Sequence, residues 1–326
     1  MAWYYAWFPT TVNFLASGAL VTGEASPGYL PYPDVAHLVQ TKLPGTKIIM
    51  VGRQPLDRSW SSYRYNYVTP TIEHLKRGLR HGIPPNQSDE YYQSKYLFTF
   101  EEMMSAELQQ LRKCLLQGVG ANATEQIWYA HGWARTILEQ RKTNDNDSNK
   151  LPPLIDLDET CYGGFVNRTV LREQWADLQM SNPQKLILPR NLHLTQALLG
   201  RSLYVYPLEW WYTQFSAKDI YFMCTEELSD LSGTSLNELA MKLLGLPSFN
   251  FSAVVAEGAY NVGGHRGYDL ATSWEQVQKE HRDAPIATKK EADTIPLSPK
   301  LQKELQAFLD PINERLFSLT GRRCDW

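Results

Sequence analysis

The chain has 326 residues, of which 43% are hydrophobic and 21% charged, enough to bury a substantial core and too apolar for a disordered chain. The net charge of −3 argues against a general nucleic-acid binder. No apolar run reaches the roughly 18 residues of a membrane span, and the N-terminus, broken by Pro9 and Asn13 and without a basic region, does not read as a signal peptide.

Residues 1–33 are aromatic and turn-rich, with GEASPGYLPYP a loop by its glycines and prolines. Asp34 to Leu43 reads as a short helix capped by Asp34. Ile48, Ile49, Met50 and Val51, closed by Gly52, read as a strand buried on both faces. Pro55 suits a first helical turn, and Trp60, Tyr63 and Tyr67 then recur at helical spacing. Arg53 therefore falls at a strand end and Ser61 on the following helix. In open α/β sheets that is where ligands sit, and a guanidinium beside a hydroxyl suits a phosphate. A structural pairing of Arg53 with Asp57 is the competing reading.

Residues 68–97 are polar, with HGIPPNQSDE a loop, and Phe98 to Leu116 is an amphipathic helix. The run RKTNDNDSNK marks an exposed loop, and Asn167 to Met180 reads as a further helix. From Gly200 the pattern gives a helix striped by Tyr204, Leu208, Trp211, Tyr212 and Phe215, then a strand at Ile220 to Cys224. Leu236 to Leu246 is a helix stopped by Gly245 and Pro247, and Pro299 to Gly321 is a long amphipathic helix.

The four cysteines show no zinc-ligand spacing, so no metal is expected. Cys224 reads as a buried free thiol. Cys114 and Cys161 lie in a sequon-rich region and are expected to pair, with Cys324 the competing partner. The five N-x-S/T sequons, at Asn86, Asn122, Asn146, Asn167 and Asn250, point to a secretory-pathway lumen.

RQPLDRSWSSY, residues 53–63, resembles the R-x-P-x-x-R-x-x-S-x-Y segment of the carbohydrate sulfotransferases. The resemblance extends to the stripe from Gly200 to Phe215 with the following strand and E-x-L, and to the end NERLFSLTGRRCDW. It is nearest to the chondroitin-type N-acetylgalactosamine 4-sulfate 6-O-sulfotransferases. It implies an α/β, three-layer fold with a short parallel sheet of the P-loop nucleotide-binding type, in one domain over 1–326. Residues 68–200 would be an elaborated acceptor-side region within it.

The implied activity is transfer of a sulfuryl group from 3′-phosphoadenosine-5′-phosphosulfate to a carbohydrate hydroxyl. The implied acceptor is a sulfated glycosaminoglycan or other polysaccharide, and the implied place is the Golgi. Arg53 and Ser61 match the residues that hold the donor's 3′-phosphate, whereas Arg58 and Tyr63 match helix and packing positions. GGHRGYD, residues 263–269, lies where the family puts a second loop over that phosphate, giving Gly264, His265, Arg266 and Gly267 as donor contacts. GEASPGY resembles a segment lining the acceptor cleft, with Glu24 as the one carboxylate there.

The family's first strand, its P-K-x-G-T loop around the 5′-phosphosulfate and its K-E-x-x-F-F base are not found. Gly233-Thr234-Ser235-Leu236 is only a mimic, lacking a preceding strand and Pro-Lys. The resemblance therefore implies an N-terminally truncated chain without its first strand, expected not to turn over the sulfate donor as given, and no residue is assigned as catalytic base. A non-catalytic nucleotide- or glycan-binding pseudoenzyme is the alternative. The absence of G-x-x-x-x-G-K-S/T speaks against a nucleotide kinase.

Overall fold

The structure is a computed structural model that describes residues 18, 21–26, 28–30, 33–78, 82–116, 176–188, 198–256 and 295–326. At its centre two strands, β1 (Ile48–Gly52) and β2 (Ile220–Cys224), pair in parallel, with Ile48 opposite Ile220 and Gly52 opposite Cys224. Before β1 comes α1 (Pro33–Lys42). Parallel neighbours need a crossover, and here it takes in five described helices, α2 (Pro55–Ser62), α3 (Thr69–Lys76), α4 (Asp89–Tyr96), α5 (Phe100–Leu116) and α6 (Val205–Gln214). After β2 come α7 (Thr234–Lys242), the short α8 (Ser252–Ala256) and the long α9 (Pro299–Thr320).

Helices cover both faces of the sheet. Met50, Ile220, Phe222 and Cys224 join the main core with Leu56, Leu208, Leu305 and Leu309. On the other face Tyr221 and Met223 pack against Leu239 of α7 and Leu243 at its end. The chain is thus a mixed α/β protein with a short parallel sheet. Only β2 is buried along its whole length. In β1 the alternate residues Ile49 and Val51 are each 45% exposed, so the expectation of a strand buried on both faces fails for β1. Four apolar residues carry no period from which to tell one buried face from two.

Each boundary has a local cause. Pro55 opens α2, and the cap is Gln54, whose Oε1 accepts from the Asp57 amide at 2.7 Å. Ser298 caps α9 by accepting from the Leu301 amide, and Gly321 ends it with a φ of 65°, in the left-handed region open to glycine. Helix α1 begins at Pro33, so Asp34 sits inside its first turn and is not its cap. Between α2 and α3 runs a π-helix, Tyr63–Val68, so residues 55–76 form one long helical run with a widened middle. Its inner side is fixed by hydroxyls. Tyr67 Oη donates to the Leu186 carbonyl and accepts from the Phe98 amide, and Tyr63 Oη donates to the Phe98 carbonyl.

Cys224 is not a free thiol. It forms a disulfide with Cys324, the Cα atoms 5.7 Å apart, which also removes Cys324 as a partner for Cys114. The bond ties the C-terminus to the end of β2. There Trp326 packs on Phe222, Tyr204 and Phe317, and Arg322 pairs with Glu227 and lies over the Tyr221 ring. Cys161 and the side chain of Cys114 lie outside the described residues.

Candidate functional site

The carboxyl end of the sheet is where β1 delivers Arg53. Its backbone is clamped by one phenol: Tyr204 Oη accepts from the Arg53 amide at 3.3 Å and donates to the Arg53 carbonyl at 3.1 Å. One residue earlier, the Gly52 carbonyl accepts from Thr225 Oγ1 at 2.8 Å, which locks the end of β1 to the chain leaving β2. The backbone is thus held from two elements while the Arg53 side chain is exposed. Among the described residues its guanidinium makes no hydrogen bond or ion pair. The competing pairing with Asp57 is absent, and Gln54 does the capping.

Ser61, in the last turn of α2, is also exposed, and no hydrogen bond occupies its hydroxyl among the described residues. From Pro55 to Ser61 the helix rises about 9 Å. The two candidate phosphate ligands therefore stand on one strand–turn–helix unit, both open to solvent.

Beneath them lies a buried polar cluster. Arg58 Nη1 donates to the Leu198 carbonyl at 2.7 Å. The hydroxyl of Ser59, fully buried, lies 2.7 Å from both the Leu198 and Pro55 carbonyls. Glu107 of α5 is 2% exposed and accepts from the amides of Leu199 (3.1 Å) and Gly200 (2.9 Å). Burial pushes its carboxyl up to about 7, against the pull of those amides and of the Arg58 charge. Burial likewise lowers the Arg58 guanidinium and raises the Tyr204 phenol. The cluster ties α2 and α5 to the turn at 198–202, which leads into Tyr204. Arg58 and Tyr63 are therefore scaffold residues, as the sequence implied.

Glu24 is exposed, and its Oε2 lies 3.4 Å from Ser26 Oγ, a contact within its own loop. No described contact joins it to Arg53. Gly264, His265, Arg266 and Gly267 lie outside the described residues. Sequence reasoning missed Thr225 and the clamping role of Tyr204. In the sequence Tyr204 is one member of a helix stripe, and nothing in such a stripe marks a phenol that reaches back to a strand end. No group of three or more His, Cys, Asp or Glu side chains able to hold a metal occurs among the described residues.

An exposed arginine at the carboxyl end of a parallel strand has the position and chemistry that an anion site needs. The chain is similar to the membrane-associated sulfotransferase kil1 of Dictyostelium discoideum, 24% identical over 231 residues, which make up 67% of this chain and 41% of that protein. The match thus spans well under half the length of that relative. No protein-family model and no solved structure matches the chain.

Proposed function

We propose that the chain binds 3′-phosphoadenosine-5′-phosphosulfate, with Arg53 and Ser61 on its 3′-phosphate, as a sulfotransferase acting on a carbohydrate hydroxyl. The observation that carries this is the Arg53 side chain, exposed and unpaired among the described residues, at the carboxyl end of a parallel strand whose backbone Tyr204 and Thr225 hold in place. The likeness to a sulfotransferase supports the reaction class. The loop at Gly264, His265, Arg266 and Gly267 would close over the same phosphate.

In the reaction the acceptor oxygen bonds to sulfur as the bond from sulfur to the bridging phosphate oxygen breaks. The hydroxyl proton passes to a base, and adenosine 3′,5′-bisphosphate leaves. The sheet is of the P-loop sulfotransferase type in this reading, and the acceptor is of the glycosaminoglycan type. The disulfide between Cys224 and Cys324 supports an oxidising lumen, in keeping with a Golgi location. In that compartment Cys114 and Cys161 form a second bond. No described helix is long and apolar enough to cross a membrane.

The test is transfer of labelled sulfate from the donor to chondroitin, dermatan and neutral oligosaccharide acceptors. Labelled acceptor that falls to background in Arg53→Ala supports the enzyme. Donor binding that saturates without transfer to any acceptor replaces the enzyme with a nucleotide-binding module.

A further inference from the structure

The helical run from α2 through the π-helix to α3 carries a second feature on another side from Ser61. A cleft of ≈ 910 Å³ opens between this run, helix α4 and the segment Phe98–Glu101. Neither Arg53 nor Ser61 lines it. Its volume falls in the range of small-ligand sites.

The floor is apolar and rigid. Trp60 stacks on Tyr63 with centroids 5.4 Å apart and meets the edge of Phe100 at 5.1 Å, and Val68, Ile72 and Phe98 complete it. Trp60 Nε1 is buried and has no hydrogen-bond partner among the described residues. The π-helix Tyr63–Val68 lies along the cleft, and such widenings recur at functional sites.

The rim is polar, and part of it makes no hydrogen bond among the described residues. Arg64 lies over the Trp60 ring with its Cζ 5.9 Å from the centroid, yet its guanidinium has no hydrogen bond or ion pair among the described residues. The side chains of Thr69, Glu90 and Gln93 also make no hydrogen bond among the described residues, and all three are exposed. A guanidinium, a carboxylate and a primary amide are planar groups with paired donors or acceptors, the shapes that bind adjacent hydroxyls. An apolar floor beneath such a rim suits the C–H face of a pyranose. The charge selects further. Four carboxylates, Glu73, Asp89, Glu90 and Glu101, line the cleft against two cations, Arg64 and Lys76. Lys76 pairs with Asp89, Glu73 pairs with Arg77 outside the lining, and Glu101 accepts from Ser298, so the lining carries a modest excess of negative charge. A sulfated or otherwise polyanionic chain is repelled there.

We propose that this cleft is a saccharide-binding site for an uncharged stretch of glycan, hexose or N-acetylhexosamine. It does not depend on the donor-site reading, since it shares no lining residue with Arg53 or Ser61. The experiment titrates the full chain with a neutral N-acetylglucosamine tetramer, a neutral glucose tetramer and a chondroitin 4-sulfate tetrasaccharide, following binding by calorimetry and by Trp fluorescence. At least one neutral tetramer should saturate and quench or shift the fluorescence, and the sulfated one should bind more weakly. Ser94→Trp, an exposed cleft residue enlarged to fill the space, should weaken the neutral ligand about tenfold or more. Glu90→Gln should weaken it several-fold, and Arg53→Ala should leave it unchanged. No saturable neutral binding, tighter binding of the sulfated tetrasaccharide, or indifference to both cleft variants would each overturn the proposal. Adenosine 3′,5′-bisphosphate binding, measured on the same samples, reports separately on the donor site.

Discussion

Glu107 and Arg58 grip one turn from two helices, and that turn leads directly to the Tyr204 clamp on Arg53. The carboxyl is satisfied by two amides but stripped of water, so burial raises it to about 7. Between the ordinary glutamate value near 4.3 and about 7, the folded chain holds a proton that the unfolded chain has released. Stability from this group is therefore present at the acid end of that window and is lost as pH rises through it, by on the order of 3 kcal/mol. Glu107→Gln cannot titrate. Urea unfolding from pH 5 to 8 should show the wild type losing stability toward neutral pH relative to the variant. A constant difference between the two across the window would mean that Glu107 is ionised throughout. Sequence gave no hint of this residue, because a glutamate inside an amphipathic helix reads as solvent-facing until its neighbours are known.

At the scale of elements, the strand–turn–helix unit was legible for simple reasons. An apolar run ending at glycine and a proline at the first helical turn each have one cheap local conformation. What could not be read was why Gly52 is glycine. It lies within β1, and a Cβ there would stand 2.5 Å from Phe222 Cζ and 3.0 Å from Trp326 Cη2. The residue is fixed first by the Phe222 ring of the paired strand, about 170 positions away, and then by Trp326 as the C-terminus packs over it. Gly52→Ala should overpack this contact and cost about 1–3 kcal/mol, read as a lower denaturation midpoint with unchanged slope. A neutral substitution would mean that the Trp326 packing yields. The polar stretch 68–97, in which only HGIPPNQSDE reads as a loop, holds α3 and α4, which carry no helical signal because both are short and rich in polar residues. Packing of Ile72, Leu75 and Tyr92 into the core holds them, not local preference.

For the whole molecule, the disulfide is the feature least available from sequence. Four cysteines allow three complete pairings, and choosing among them needs the fold. Cys224 and Cys324 are separated by 100 residues, so their bond closes a long loop and restrains the unfolded chain. Cys324→Ser should cost about 2–5 kcal/mol, measured as free energy of unfolding under non-reducing conditions. A wild type equally stable with and without reductant would contradict that. Helix α9 was legible from end to end, since its seven apolar positions repeat at helical spacing and glycine stops it. Of the candidate site, the part carried on one contiguous segment, Arg53 and Ser61, was legible. The parts that arrive from elsewhere, Tyr204 and Thr225, were not.

The central claim is that the carboxyl end of β1 holds a 3′-phosphate through Arg53. Calorimetric titration of adenosine 3′,5′-bisphosphate and of adenosine 5′-monophosphate into wild type, Arg53→Ala and Arg53→Lys tests it most directly. The bisphosphate should bind more tightly than the monophosphate, and Arg53→Ala should lose about 1.5–3 kcal/mol of that affinity. Lysine should restore only part of it, having no paired donors. Equal affinity of wild type and Arg53→Ala for the bisphosphate, or no preference for the 3′-phosphate in the wild type, would contradict the account.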